Sequence, residues 1–532
     1  SSDAPSSTIV STIVGGHYPA PSERGRAVRP DAYQDGGLDP LGMQRPIEVI
    51  YQSLLPGIST ITLRFRYYSF FVWMLEVYAK ENGSTDPVAF RLFQRRCETL
   101  FALIAARGAT ELGVAGIDWA QRQLAVVPDD PAATIDFTVG ADPEVDVGQR
   151  YLRNKGGAFG GIYATQMYEM GLITLGNDKN PISICTNRAL PLADAFAAAI
   201  GDLATVFLRS VKAGQVTIAD LDLMAPIKPS EVVVGNAEHA LLVKVLLGRV
   251  AAPSAADKLR RSTALMLLQL MGATHEVPRA EAVKWEWFGA GQQKRERDTA
   301  TEDVRAMWAL YQACDLMRLA YENILDLALD IVQGAEMRRM PLGEVVAELL
   351  GLIDVPDDVT WLQFSAGLIK HPDPAIAARL ADENMAEARA SGDRSARMQS
   401  VAALVVALSG QAALFGELLD KALDAPEHFH SLRTEVRFLQ AKAHENARTV
   451  LDALIRERVL KRHLWVASRK FRNQKAYTFL IEPEEGLLRF RDRFRVSPSS
   501  PRLEQAMRFL RDIKLIDDAG LTDLGRAELE TT

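Results

Sequence analysis

The sequence predicts a mainly α, multi-domain helical protein with a small β-hairpin close to its C-terminus. Three observations predict it. The chain has 532 residues, 48% hydrophobic and 24% charged, an ordinary globular composition with more length than one hydrophobic core holds. From position 196 to position 455 nearly every segment repeats its apolar residues at helical spacing, as in LRRSTALMLLQLM and VRAMWALYQACDLMRLAYENILDLALDIV, and β-type alternation is nearly absent. Over Leu488–Val496, LRFRDRFRV, the period drops to two, which is strand spacing.

The elements follow in chain order. Residues 1–30 are rich in Ser, Pro and Gly, with no apolar stretch behind a basic start, and read as a flexible tail rather than a targeting segment. Residues 31–58 are cut into short pieces by Gly36, Gly37, Pro40, Pro46 and Pro56. The stretch 59–83, STITLRFRYYSFFVWMLEVYAKENG, is so dense in aromatic and aliphatic side chains that it must be buried, and Asn82-Gly83 ends it. Residues 87–107 read as a helix with Phe90, Phe93, Cys97, Leu100, Phe101 and Ile104 on its apolar stripe. After a looser stretch at 126–160, GGIYATQMYEMGLI reads as a helix, followed by a short strand and another helix in NPISICTNRALPLADAFAAAI. The expected domains are a mostly helical one over 31–200, a helical scaffold over 201–455 and a basic module over 456–532. Within the scaffold, 376–399 reads as a solvated helix pair with a turn.

At the C-terminus, Ala476–Ile481 is a strand pattern, EPEEG a turn and Leu488–Val496 a second strand. Alternation puts Leu488, Phe490, Asp492, Phe494 and Val496 on one face. Arg489, Arg491, Arg493 and Arg495 then form a comb on the other, with teeth about 6.6–6.8 Å apart. Ser500 is a helix N-cap and Pro501 suits the first helical position. The helix after them has the stripe Leu503, Ala506, Met507, Leu510 and Ile513, which turns Arg502, Gln505, Arg508 and Asp512 outward. This helix, Leu515-Ile516, the DDAG turn and LTDLGR together resemble the end of winged-helix domains. The resemblance spans about 35 residues of the chain. It implies a C-terminal winged-helix module whose recognition helix would enter the major groove. The segment 160–196 echoes the same order, so a winged-helix-like end is expected for the N-terminal domain too.

Charge is unevenly spread. The chain carries −7, but 455–511 holds fifteen Lys/Arg against six Asp/Glu, or +9, leaving −16 for the remainder. Trp465, Phe471 and Tyr477 interleave with Arg469, Lys470, Arg472 and Lys475. Basic density with aromatics is the footprint of phosphate contact. The candidate nucleic-acid-binding residues are therefore Arg469, Lys470, Arg472, Lys475, Arg489, Arg491, Arg493, Arg495, Arg502, Gln505 and Arg508, with DNA, or else RNA, as the ligand. A protein-docking module whose arginines pair with the acidic remainder accounts for the same residues.

No catalytic residue, metal or cofactor is called for. Cys97, Cys185 and Cys314 are far apart without CxxC spacing and read as small buried hydrophobes in a reducing compartment. RYLRNKGGAFGG (150–161) has glycines and basic residues but not the phosphate-loop pattern, and reads as a basic loop. His428, His430 and His444 with Glu427 lack metal-ligand spacing and read as helix-surface residues. Asp315, Asp326 and Asp330 read as the solvated face of a helix. An enzyme with a divergent nuclease site is the remaining alternative, and it would need strands that the middle of the chain lacks. The longest apolar stretch, Val401–Leu408, falls far short of the ~20 residues of a membrane span, so a soluble cytoplasmic protein is expected.

One further resemblance lies in LDPLGMQRPIEVIYQSLLPGISTITLRFRYYSFFVWMLEVY. It is similar to a group of uncharacterised bacterial proteins that share a D-x-L-G start, an L-x-P-G-x-[ST]-T core and an R-x-R-Y-x-x-F finish. Here these are Asp39, Leu41 and Gly42 (one residue displaced), Leu54 to Thr60, and Arg64, Arg66, Tyr67 and Phe70. FQRRCETLFALIA resembles the R-R-x-E helix that follows. The likeness covers roughly the first hundred residues and implies a role beside restriction or anti-phage genes, with no catalytic residue to carry over. Together these readings give a non-enzymatic, DNA-associated subunit of a bacterial defence or DNA-maintenance complex, working with other protein subunits. A scaffold that binds only protein is the rival.

Overall fold

A computed structural model describes residues 38–81, 84–289 and 299–531, with side chains described from 303 onward in the last segment. The N-terminal tail 1–30 and the Asn82-Gly83 helix stop lie outside the described residues. The architecture is mainly α, 63% helical and 6% strand, and the strands among the described residues form sheets of two or three. The chain folds as two units, one holding the described residues 38–52 and 281–501, the other 53–280 and 502–531. The residues 456–532, expected as one module, are thus divided after Pro501. Composition marks where a loop runs. It does not say which distant segment a helix will pack on, and 502–531 packs with 53–280.

The unit built on 53–280 and 502–531 centres on the helix Arg66–Glu81, in which Arg66 to Leu75 are all buried. Its aromatics meet rings from elsewhere in the same unit. Phe70 stacks on Phe101 at 4.4 Å between centroids, and Phe65, just before the helix, stacks on Phe509 at 4.7 Å. Offset and edge-on pairs of this kind add to the burial of area. The helix Pro87–Ala106 follows, started by Asp86, whose carboxylate accepts from the Val88 and Ala89 amides.

The two arginines of the R-x-R pattern are buried and paired. Arg66 makes a two-pronged contact to Glu238, 3.0 Å for each prong, and donates to the carbonyls of Pro226 and Lys228 at 2.7 Å. Arg64 reaches Asp512 at 3.2 Å and Glu111 at 2.8 Å. Gly57 of the L-x-P-G pattern has φ +80, and a Cβ there would run into Met170, so only glycine fits. Its amide donates to Glu169 and its carbonyl accepts from the Tyr68 hydroxyl. The pattern residues in this unit are scaffold.

The other unit is organised by the 36-residue helix Thr299–Gly334, about 54 Å long. The helices Pro374–Ser391 and Arg394–Phe415 form the expected pair around the turn Gly392-Asp393, but the second is largely buried rather than solvated, because it packs on the long helix. Among the described residues Arg394–Phe415 is the one unbroken helix long and apolar enough to cross a membrane, and more than half of its most apolar window is buried.

Asp315 and Asp326 do not face solvent, contrary to expectation. They are 1% and 7% exposed. Arg318 lies 2.7 Å from Asp315 and 2.7 Å from Glu322, while Arg397 lies 2.7 Å from Asp326. Periodicity marks acidic residues as solvated, but a helix buried all round keeps them by pairing each with an arginine. Burial lifts the Glu322 carboxyl to about 7 despite its arginine.

This unit also holds a three-stranded antiparallel sheet. Ile481–Glu484 and Leu487–Phe490 form a hairpin, and Arg339–Pro341 pairs with the outer side of Leu487–Phe490. The turn is Glu485-Gly486, both at positive φ, 53 and 82, as a two-residue hairpin loop requires.

Candidate nucleic-acid interface

The arginine comb does not form as drawn. The strand ends at Phe490, and 491–500 have no regular secondary structure. Arg489 sits mid-strand and pairs with Glu484 at 2.7 Å; Glu484 also holds Arg339 at 3.0 Å. Arg491 pairs with Glu482. Arg493 pairs with Asp330 and Gln333 of the long helix. Only Arg495 is exposed with no hydrogen bond or ion pair among the described residues. Alternation in sequence gives side-chain direction. It does not say that the hairpin's other strand brings Glu482 and Glu484, and the long helix Asp330, to the same edge.

The supposed recognition helix is engaged on the face meant for DNA. In Leu503–Asp512, Gln505 and Asp512 are buried. Gln505 donates to the Thr60 carbonyl at 3.2 Å, Arg502 donates to the Ile58 carbonyl, and Asp512 accepts from Arg64 and from the Phe65 amide at 2.8 Å. Glu504, Arg508 and Arg511 face solvent. The apolar stripe also takes in Phe509, so the helix sinks deeper than a one-sided stripe would. The strands Ile516–Asp517 and Gly520–Leu521 and the helix Asp523–Glu530 follow it. Of the three predicted readers, Arg508 alone faces outward.

What remains is a surface on and after the helix Lys461–Gln474. Arg469 lies over the rings of Trp465 (5.3 Å) and Phe429 (5.9 Å). These two rings meet edge to face at 5.6 Å. Arg472 and Lys475 are exposed. Lys475 caps the helix in the left-handed region, φ 58, which turns the chain back so that Tyr477 meets Phe471 edge-on at 6.4 Å. Lys470 is different: it donates to the carbonyls of Leu38 and Asp39 at 2.6 and 3.0 Å, and burial lowers its pKa. It anchors the chain rather than facing a ligand.

Beside this helix lies a groove of about 780 Å³, with Tyr477, Phe479, Arg491, Arg493, Phe494 and Arg495 among its lining residues. Four of the five exposed large aromatics among the described residues are Phe429, Trp465, Phe471 and Tyr477. They form two pairs, Phe429 with Trp465 and Phe471 with Tyr477. Sequence alone points to three of them, Trp465, Phe471 and Tyr477. It misses Phe429, Phe479 and Phe494, which only the fold brings to Arg469 and to the groove.

His463 clamps the groove's inner wall. Its Nε2 accepts from the Leu480 amide at 3.0 Å, so Nδ1 carries the proton and donates to the Pro40 carbonyl at 3.1 Å. Burial holds its pKa down at about 4. The unfolded chain therefore binds the proton first as pH falls. The stabilisation by neutral His463 is complete above pH 6.5 and is lost progressively from there toward pH 4. Glu322, lifted to about 7, acts in the opposite direction over part of that range, so the histidine must be isolated by difference. Relative to His463→Gln, the parent should lose stability more steeply between pH 6.5 and 4.5, by about 1.4 kcal/mol per pH unit, in urea titrations at stepped pH. Parallel slopes would show that His463 titrates normally.

No family model, no curated protein and no solved structure matches this chain.

The other candidates resolve as scaffold. In the 150–161 loop the anion position is already filled. The Glu98 carboxylate accepts from the Ala158 and Phe159 amides at 3.0 and 2.7 Å, from Gln94 at 3.0 Å and from the Tyr151 hydroxyl. His428 is 4% exposed and not on a helix surface, and burial holds His430 down at about 3. Among the described residues no group of three or more His, Cys, Asp or Glu is placed to hold a metal. Cys97 and Cys314 are buried, Cys185 half-buried, and all three are free.

Proposed function

We propose that this chain is a nucleic-acid-contacting subunit of a bacterial defence or DNA-maintenance complex, non-enzymatic and cytoplasmic, and that it grips the phosphate backbone through the Lys461–Gln474 helix and the segment that follows the hairpin. One observation carries the reading. Arg469, Arg472, Lys475 and Arg495 are exposed without a carboxylate partner among the described residues, and exposed aromatics stand between them. Unpaired cations release counterions when they meet phosphates, and that release supplies sequence-independent affinity. The defence setting rests on the N-terminal resemblance, and the winged-helix reading of 503–530 is kept as part of the proposal.

The test is salt-dependent binding of the full chain to labelled DNA by fluorescence anisotropy between 50 and 200 mM salt. Changing Arg469, Arg472, Lys475 and Arg495 to Ala should weaken binding whatever the sequence. It should also flatten the log–log salt slope by about 0.7–0.9 for each phosphate no longer neutralised. Arg489→Ala should leave the slope unchanged, because that arginine already has its carboxylate. An unaltered slope in the fourfold variant would sink the proposal. A second reading, in which the basic run serves only the chain's own acidic residues, draws on the pairs made by Arg489, Arg491 and Arg493. It expects no binding by the parent at all.

A further inference from the structure

We infer that the nucleic acid taken by this surface is single-stranded, with unpaired bases stacking on Trp465 and Tyr477. The inference rests on the phosphate-contact reading above and adds to it the state of the strand. Phosphate contact alone does not call for aromatic rings. In a duplex the faces of the bases are covered by their neighbours, so exposed rings between the cations gain nothing there. On a single strand every base offers a face, and an aromatic platform beside a positive groove is how such strands are held without sequence preference.

The geometry fits that use. Trp465 and Phe471 are six residues apart on one helix, which turns their side chains about 120° from each other around its axis, so Trp465 with Arg469 and Phe471 with Tyr477 form two separate platforms. Trp465 is 43% exposed, Phe471 47% and Tyr477 56%. They are open to a ligand, yet each is held in place by a neighbour: Phe429 against Trp465, and Phe471 against Tyr477. Arg469 lies over the Trp465 ring, so that face of the indole carries a guanidinium plane, itself a surface on which a base can stack. Tyr477 forms part of the groove that Arg495 also lines. At about 780 Å³ the groove is in the range of roughly 300–1,000 Å³ that encloses small ligands. It suits a flipped or unpaired nucleotide with its phosphate at Arg495, and it is no cradle for a double helix. The Tyr477 hydroxyl is tied to Glu482, which also holds Arg491, so ring and cation share one support.

The experiment compares the full chain on a twenty-nucleotide oligo(dT), the matching oligo(rU) and a duplex of equal length, at fixed salt. Tighter binding to at least one single strand than to the duplex is expected. Trp465→Ala and Tyr477→Ala should each weaken the single-strand complex roughly five- to 150-fold and leave the salt slope as it was, since stacking releases no counterions. Trp465→Phe and Tyr477→Phe should restore most of the affinity, which separates a stacking ring from a merely structural one. Equal affinity for single strand and duplex, or alanine variants that bind like the parent, would overturn the inference while the cation variant could still uphold phosphate contact. Failure to bind any of the three probes would overturn both.

Discussion

Glu238→Ala is expected to destabilise the 53–280/502–531 unit by about 3–5 kcal/mol, because it strands the Arg66 guanidinium in the interior. Arg66 is 1% exposed and Glu238 fully buried. Besides Arg66, the carboxylate accepts from Ser69 Oγ at 2.7 Å. A loss of that size takes a large share of the 5–15 kcal/mol that holds a typical domain together. The Arg66→Leu/Glu238→Leu double variant should recover only part of it. It removes the buried charge but leaves the Pro226 and Lys228 carbonyls without the donor that now serves them. Urea unfolding followed by near-UV circular dichroism reads this unit through its packed rings. A single-variant loss under 1 kcal/mol would show that water or another cation already reaches the site.

The second large effect is expected at Gly157→Ala. Gly157 has φ +68, and a Cβ there would overlap the Glu98 carboxylate and come within 2.8 Å of Gln94 Nε2 and 2.9 Å of the Tyr151 hydroxyl. Left-handed backbone costs a non-glycine residue about 1–2 kcal/mol, and each buried donor that loses Glu98 adds about 1–3 kcal/mol. A total near 3–5 kcal/mol follows, seen as a lowered unfolding midpoint. Gly160→Ala, where a Cβ meets nothing within 4 Å, is the control. Equal losses at the two positions would mean that the loop yields and that the Glu98 network is not what fixes it.

The helical class was legible because it rests on local periodicity, and so was the burial of 64–78, where there are too few polar residues to make an exposed face. The helix pair around Gly392 was legible for the same local reason. The candidate site was legible only as a region. Arg469, Arg472, Lys475, Trp465, Phe471 and Tyr477 stand close together in the chain, so composition found them. Arg489, Arg491, Arg493 and Gln505 were assigned to a ligand. The partners of Arg489 and Arg491 stand five and nine positions away across the hairpin, within reach of a local reading, whereas those of Arg493 and Gln505 lie 163 and 445 positions away, and no local pattern carries that information. His463 failed to signal for the same reason: its two partners are a carbonyl at 40 and an amide at 480.

The turn at Glu485-Gly486 has a consequence for the surface beside it. A two-residue loop with both residues at positive φ fixes which rungs of the ladder face each other. It places Arg489 opposite Glu482, two rungs from Glu484, and leaves Arg491 diagonal to Glu482. A slip of one residue would turn those arginines to the other face and separate them from their carboxylates. Two cations would then be unmasked on the sheet, and two anions would be exposed in their place. The hairpin loop thus acts as the setting of an electrostatic dial. Its length decides how much positive charge the neighbouring groove displays, although neither residue of the loop carries a positive charge itself.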